Sequence, residues 1–404
     1  MNYTILTGDN RVTLKTLADN SIDAIITDPP YGIDFLGKSW DANTGALETY
    51  QECLRVLKPG GHILAFSAAR TYHHLAITLE QAGFEIRDQI MWIYSSGFPK
   101  SQDIGKQIDK KAGKRKTLPS DNGSAIVGMG TQCSKCSKKE NGSNQYKCQE
   151  EPCPLKEVLK PADNEWAGWG TALKPAHEPI ALARKPIKTS IRENCLKYGT
   201  GALNIDATRV PYADEADLKL VVDWANKYTS PGVQEYGKLD GSVERTHTEE
   251  QFKSEASTQG RFPSNVVGEI PDYQKYFYCP KVSRKERHIG HEMPPAMFGN
   301  MKGCYDENGE RYAVGLDARE GNVGNNHPTV KPIELMKYLI KLITPPGGTV
   351  LDPFNGSGST GCAAVELGHT YIGCELDPAY VEIAEKRIAA WYTHTRDPGS
   401  ELFE

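Results

Sequence analysis

The chain has 404 residues, 38% of them apolar and 25% charged, with a formal net charge of −5. That length leaves room for two or three domains and an ample core, while the acidic balance excludes a protein that coats nucleic acid by overall charge, so any such contact must come from local patches. No apolar run approaches the roughly 18 residues of a membrane span, no signal-like segment opens the chain, and ten cysteines, four of them clustered, do not make a secreted disulfide frame.

Residues 3–8 predict a short strand ending in Gly8-Asp9, then a helix with apolar Val12, Leu14 and Leu17. Asp9 stands where a helix N-cap is wanted. The apolar strand at 23–27 runs into Asp28-Pro29-Pro30-Tyr31, whose paired prolines make a rigid turn. A loop containing Trp40 and Asp41 leads to a helix at 48–57, the turn Lys58-Pro59-Gly60-Gly61 and a buried strand at 62–67. A helix at 71–82 closes on Gly83, and 84–94 read as a further strand. His62, His73 and His74 read as structural.

From Lys100 to Lys116 there are seven Lys or Arg against Asp103 and Asp109. This is either a solvated helix face or a stripe contacting phosphates. Residues 119–165 are poor in apolar side chains and hold Cys133-x2-Cys136 and Cys148-x4-Cys153. Four thiolates from two knuckles can close a tetrahedral structural Zn²⁺ site and so fold a segment with little core of its own. The second knuckle is longer than the usual spacer, and free thiols are the alternative. Pro152-Cys153 sits in this polar ribbon and is not read as a nucleophile.

Core character returns over 166–180, including Trp166 and Trp169. Residues 188–320 carry no motif with an assignable chemistry. Within them 206–260 are polar and read as loop, 261–267 and 276–280 read as short strands, and Lys281, Arg284, Lys285 and Arg287 form a second basic cluster. Asn326-His327-Pro328-Thr329-Val330-Lys331-Pro332 then introduces a helix at 333–342.

Next come a strand at 349–351, the turn from Asp352-Pro353-Phe354 to Gly356-Ser357-Gly358, and a helix at 360–367. Two glycines one residue apart let the backbone approach a ligand, in front of a helix N-terminus with unpaired N–H groups. A strand at 370–374 ends in Glu375, 19 residues after Gly356, near the spacing at which a carboxylate reaches ribose hydroxyls. The third glycine of the dinucleotide fingerprint is missing, so a nucleoside without a pyrophosphate is expected, and S-adenosylmethionine (SAM) fits.

Asp28-Pro29-Pro30-Tyr31 taken with Phe354-x-Gly356-x-Gly358 resembles the amino-methyltransferases of DNA, which methylate adenine N6 or cytosine N4. The catalytic motif precedes the SAM loop, which resembles the permuted beta class of that family. The likeness spans about the first 95 residues, about the last 80 and pieces of the middle, including the run 177–186, similar to the family's last core strand. It implies that Asp28 and the Pro29 carbonyl accept both N–H bonds of the exocyclic amine, localising a lone pair otherwise delocalised into the ring. Pro30 keeps the turn rigid, and Tyr31 stacks on the base once it is flipped out. It further implies that Asp9 faces the adenine amine of SAM and that Thr329 and Lys331 contact its methionine end. Asp352, Phe354, Gly356, Gly358 and Glu375 complete that site.

The fold implied is α/β: a three-layer, Rossmann-like SAM-dependent methyltransferase with circularly permuted motif order, a zinc-ribbon-like insertion and a target-recognition region. The expected division is 1–100 for the half with the catalytic motif, 101–165 for the basic stretch and cysteine insertion, 166–187 for the last core strand, 188–320 for target recognition and 321–404 for the SAM-binding half. The expected partner is double-stranded DNA, with no membrane, in the cytoplasm of a bacterium or from a phage. A homodimer and a cognate restriction endonuclease are compatible with this. Asp in the first motif position favours adenine N6, and cytosine N4 is the alternative because its enzymes more often carry Ser there. A SAM- and zinc-carrying DNA-binding protein without catalysis is a further reading, opposed by the intact Asp28 motif. Methylation of RNA or of a protein glutamine is a third; the protein enzymes carry Asn where Asp28 stands.

Overall fold

The computed structural model describes residues 2–33, 43–94, 101–112, 162, 164–173, 175–228, 259–268, 282, 284–291, 304–305, 311–312, 325, 327 and 329–396. The chain divides into two compact units, one made of Met1–Ser95, His177–Glu292 and His327–Glu404, the other of Ser96–Ala176 and Met293–Asn326. Among the described residues the strands are β1 (Tyr3–Thr7), β2 (Ile22–Thr27), β3 (Leu57–Phe66), β4 (Glu85–Ile93), β5 (His177–Arg184), β6 (Val266–Gly268), β7 (Cys304–Tyr305), β8 (Arg311–Tyr312), β9 (Thr349–Asp352) and β10 (Thr370–Glu375). The helices are α1 (Asn10–Thr13), α2 (Leu47–Val56), α3 (Tyr72–Ala82), α4 (Ile104–Lys111), α5 (Ile191–Tyr198), α6 (Glu215–Tyr228), α7 (Arg284–His288), α8 (Ile333–Ile343), α9 (Ser359–Glu366) and α10 (Pro378–Arg396).

The first unit carries an eight-stranded sheet in the order β1-β10-β9-β2-β3-β5-β4-β6. All its pairings are parallel except those of β5, which runs antiparallel to both β3 and β4. β2 is buried along its whole length, as its unbroken apolar run requires of a central strand covered on both faces. Alternate residues feed two cores. Ala24, Ile26, Leu64 and Phe66 pack on the side of α8, α9 and α10, whereas Ile25, Ile63 and Ala65 pack on the side of α2 and α3. The result is a three-layer α/β fold with a mixed sheet. No described helix is long and apolar enough to cross a membrane.

The stretch expected as loop from Asp206 contains α6. Asp214 accepts from the Asp217 backbone N–H at 2.8 Å, and Glu215 and Asp217 place acid in the first turn, where the helix dipole favours it. Asp217 is then neutralised by a two-pronged contact from Arg261 at 2.5 Å per prong. The high polar content that suggested loop is therefore partly a capping signal. α5 packs on β3, with Asn194 donating to the Pro59 carbonyl at 2.8 Å.

In the second unit, the described part of the basic stretch forms α4, and β7 and β8 form a separate antiparallel pair. Trp166 and Trp169, read from the sequence as a return of core, are exposed, because the turn that carries them meets α4 through its backbone. Residues 34–42, 95–100 and 113–161 lie outside the described residues, and with them Trp40, Asp41 and the four cysteines Cys133, Cys136, Cys148 and Cys153.

Candidate active site

The carboxyl ends of neighbouring strands bring together residues from both ends of the chain. β1, β10, β9 and β2 stand side by side, so Asp9, Glu375, Asp352 and Asp28 line one edge of the sheet. The register pairs Thr7 with Glu375 and Gly373 with Asp352. β5, being antiparallel, delivers its first residues to that same edge, which is how Glu178 reaches the site.

Between β9 and α9 the chain makes a tight turn, with Asn355 N–H donating to the Cys374 carbonyl and Gly358 N–H to the Asn355 carbonyl, each at 2.9 Å. Gly356 and Gly358 both have left-handed φ, +52° and +79°. A Cβ on Gly356 would stand 2.9 Å from His327 Nε2, and one on Gly358 would press on Ala384 and Ile388 at 3.1 Å. Both glycines thus serve the turn and its packing. Arg387, fully buried in α10, braces the turn from beneath by donating to the Ser357 carbonyl and to Ser359 Oγ, each at 3.0 Å.

Asp352 accepts from Thr27 Oγ1 at 2.7 Å, from the Phe354 N–H at 3.0 Å and from Thr360 Oγ1 at 2.7 Å. Burial pushes its carboxyl up to about 6 despite these donors. It ties the end of β2 to the glycine turn, so its observed partners are protein groups. Glu375 accepts from Gly356 N–H at 2.8 Å and Asp377 N–H at 3.0 Å; burial raises its pKa while these N–H bonds work the other way. Asp9 caps α1, accepting from Arg11 N–H at 2.9 Å, and the Arg11 guanidinium holds its carboxyl below the usual range. Phe354 packs beside Tyr50 with ring centroids 6.5 Å apart.

Asp28 follows β2 and is bonded at both oxygens. Tyr31 OH lies 2.8 Å from Oδ1, and Lys331 Nζ lies 2.5 Å from Oδ2. Tyr31 OH is also 2.8 Å from Glu178 Oε2, so its single proton is shared between two carboxylates, and Lys331 donates to the phenol oxygen at 3.1 Å. Lys331 lies 3.5 Å from Glu178 and about equally over two rings, 5.0 Å from that of Phe66 and 5.5 Å from that of Tyr31. Burial works against the Lys331 charge, but Asp28 and Glu178 outweigh it and its pKa is raised. Burial, then the same two carboxylates, push the Tyr31 phenol well up, so it stays neutral and able to donate.

Lys331, which the sequence assigns to the cofactor's methionine end, is therefore found beside Asp28. Thr329 lies two residues before it, its N–H 3.4 Å from His327 Nδ1. Pro29 is buried and Pro30 half-buried in the turn. Arg287, read as part of a basic cluster for DNA, faces inward and donates to the His327 carbonyl at 2.9 Å. Glu286 accepts from Ile333 N–H at 2.5 Å, so α7 is docked on the segment that carries Lys331. Sequence reasoning missed Glu178, His327 and Arg387. Only Glu178 had a usable signal, an acid opening an otherwise apolar strand. The cysteine set lies outside the described residues, and among the described residues no group of three or more metal-binding side chains occurs.

A family model described as DNA methylase, of the N6/N4 methyltransferase type, matches residues 22–386. The type II methyltransferase M.HindIII of Haemophilus influenzae is 22% identical over 430 aligned positions, covering 95% of this chain and 94% of that protein. The DNA adenine methyltransferase YhdJ of Escherichia coli is 43% identical over 63 residues, only 16% of this chain and 21% of that one. Among solved structures, M1.HpyAVI in complex with SAM matches at 17% identity and TM-score 0.39, covering 95% of this chain and 99% of that one. The cytosine-N4-specific PvuII DNA methyltransferase matches at 13% identity and TM-score 0.42, covering 98% and 93%. With the family model spanning the sheet from β2 to α10, the chain belongs to the N6/N4 DNA methylase family and is a SAM-dependent DNA methyltransferase.

Proposed function

We propose that the enzyme methylates the exocyclic amine of a base flipped out of duplex DNA, adenine N6 in preference to cytosine N4. The observation that carries this is Asp28, an ionisable acceptor held by Tyr31 and Lys331 at the end of β2, beside the glycine turn that follows β9. Asp28 and the Pro29 carbonyl take the two amine N–H bonds, and the nitrogen lone pair is freed for in-line attack. Holding two reactants in attack geometry can remove roughly 7–11 kcal/mol of barrier. When bound, SAM supplies an electrophilic methyl group. Asp9 and Glu375, at the ends of adjacent strands, have the acceptor chemistry that an adenine amine and ribose hydroxyls need, and both keep lone pairs beyond their present bonds. Asp352, Phe354, Gly356 and Gly358 shape the turn, and Thr329 and Lys331 complete the site. After transfer the nitrogen has gained a methyl and sheds one proton, for which Asp28 and Glu178 are the nearby bases.

The catalytic motif comes early in the chain and the glycine turn late, yet β2 and β9 are neighbours, which supports the circularly permuted motif order. Residues 188–320 are assigned to target recognition on the strength of their place in the chain. The four cysteines of the 101–165 insertion are assigned a structural Zn²⁺, which metal analysis of the purified protein against a Cys133→Ser, Cys136→Ser variant tests. A homodimer and a cognate endonuclease are compatible additions.

The decisive experiment is transfer of tritium from labelled SAM to unmethylated duplex DNA with nucleoside analysis, Asp28→Ala alongside. Label in N6-methyladenine that disappears in the variant supports the reading. Label in N4-methylcytosine keeps the mechanism and changes the target. SAM binding with no labelled base overturns it.

A further inference from the structure

A lysine side chain is a flexible four-carbon stem, so the place of its ammonium depends on how firmly its backbone is held. Lys331 is buried, and its ammonium stands 2.5 Å from Asp28. The next residue is Pro332, whose ring holds φ at −61° and which has no N–H to give. α8 starts there with no side-chain cap at its own N-cap position. The first N–H of the helix, that of Ile333, is taken instead by Glu286 Oε1 at 2.5 Å, from 47 residues earlier in the chain. Ile333, Leu335, Met336 and Leu339 are buried and fix the axis of α8 by themselves. What Glu286 adds is the placement of the chain where the helix begins, one stiff residue after Lys331.

Glu286 is itself presented by a braced element. Directly after α7, Ile289 is buried and Gly290 lies so close to α10 that a Cβ on it would stand 2.5 Å from the Lys386 carbonyl. A ring nitrogen of His291 lies 3.3 Å from the Ile383 carbonyl. The contacts of α7 then run to both halves of the site. The Glu286 carboxylate holds the start of α8, while the Glu286 carbonyl accepts at 3.3 Å from Nε of Arg387, the residue that braces the glycine turn. Arg287 donates to the His327 carbonyl at 2.9 Å. Of these contacts only the first is made by the Glu286 side chain, so truncating that side chain leaves the other two. All of these residues belong to the first unit.

We propose that Glu286 is a positioning residue for methyl transfer: by pinning the Ile333 N–H across the stiff Pro332, it sets where the Lys331 ammonium stands against Asp28. Catalytic groups must be held to a fraction of an ångström, and a displacement of about 1 Å caused by a change away from the chemistry can cost about 100-fold in rate. A bare helix cap would act differently. It would lower the stability of the fold and leave the transfer step and Lys331 unchanged.

The premise is Asp28 as the acceptor of the base amine, so Asp28→Ala is assayed alongside. Single-turnover methyl transfer from SAM to duplex DNA is measured for the full-length wild type, Glu286→Ala and Glu286→Gln, with both substrates saturating. The transfer rate should fall about 10- to 100-fold in Glu286→Ala, with affinity for SAM kept because the backbone contact to Arg387 survives. Glu286→Gln should recover most of the rate, since its amide oxygen still accepts from Ile333. A second readout does not depend on activity. Brief reductive methylation followed by mass spectrometry compares Lys331 with Lys337, which lies in the same helix and is paired with Glu366 at 2.6 Å. The ratio of Lys331 to Lys337 labelling should rise in Glu286→Ala. Transfer within about twofold of wild type in that variant overturns the proposal. So does a slow variant whose labelling ratio is unchanged, which would leave Glu286 a stabilising cap only. An Asp28→Ala enzyme as fast as wild type would instead remove the reading of the site on which the proposal stands.

Discussion

Both oxygens of Asp28 are bonded to protein donors, but a carboxylate offers about four acceptor positions, so room remains for an amine N–H. Lys331 donates to that half-buried carboxylate, and Glu178 holds Lys331 and Tyr31 in place. Glu178→Leu should lower kcat by about tenfold or more, the scale of one charge-assisted hydrogen bond, with Glu178→Gln less affected because it still accepts from Tyr31. Steady-state kinetics at saturating SAM and DNA check this. Asp28→Ala should lower kcat by at least about 100-fold, the scale on which one well-placed polar group acts in a transition state, while calorimetry finds SAM still bound. Asp352 makes a pH prediction. Its folded pKa of about 6 lies above the ordinary aspartate value of 3.8, so the folded protein holds a proton that the unfolded chain has released. This contribution to stability is fully present below about pH 4 and is lost as pH rises through 6. Relative to Asp352→Asn, wild-type stability should therefore fall by roughly 2–3 kcal/mol between those values, as urea titrations would measure. Asp28, Tyr31 and the glycine turn were legible because motif chemistry is local. The role of Lys331 was not, since its ammonium could meet either Asp28 or a ligand, and only packing decides which.

At the scale of elements, periodicity located the strands at β2, β9 and β10 and the helices α3 and α8, because each puts an unbroken or regularly spaced apolar run into a core. It failed at α6, where the informative residues are polar. Asp214→Ala should cost about 1 kcal/mol by removing the cap. Arg261→Met should cost more, about 3–5 kcal/mol, by leaving Asp217 buried without its cation. Both are read by thermal or urea unfolding. The tryptophans at 166 and 169 failed in the opposite sense. Their apolar content announced a core, but hydrophobicity alone does not say whether a turn presents its side chains inward or outward. Here Gly105 and Asn164 fix the answer, and neither advertises itself in the sequence.

For the whole molecule, the sheet order matters more than the count of its strands. β1 pairs with β10 alone, and β9 separates β10 from β2. A chain ending at residue 326 would lack β9 and β10, leaving β1 with no partner and β2 with an open edge. It should show no cooperative unfolding transition by circular dichroism, although it would retain Asp28 and all of β3 to β5. The same arrangement sets a timetable for synthesis. β1 must wait for β10 to leave the ribosome before its backbone can pair. At roughly 5–20 residues per second that interval is about 20–70 s. Throughout it the nascent chain carries unsatisfied strand edges and apolar faces that invite association with other chains. Slower translation would lengthen the exposure, so yield of soluble enzyme should depend on holdase chaperones and growth temperature more than the stability of the finished fold would suggest.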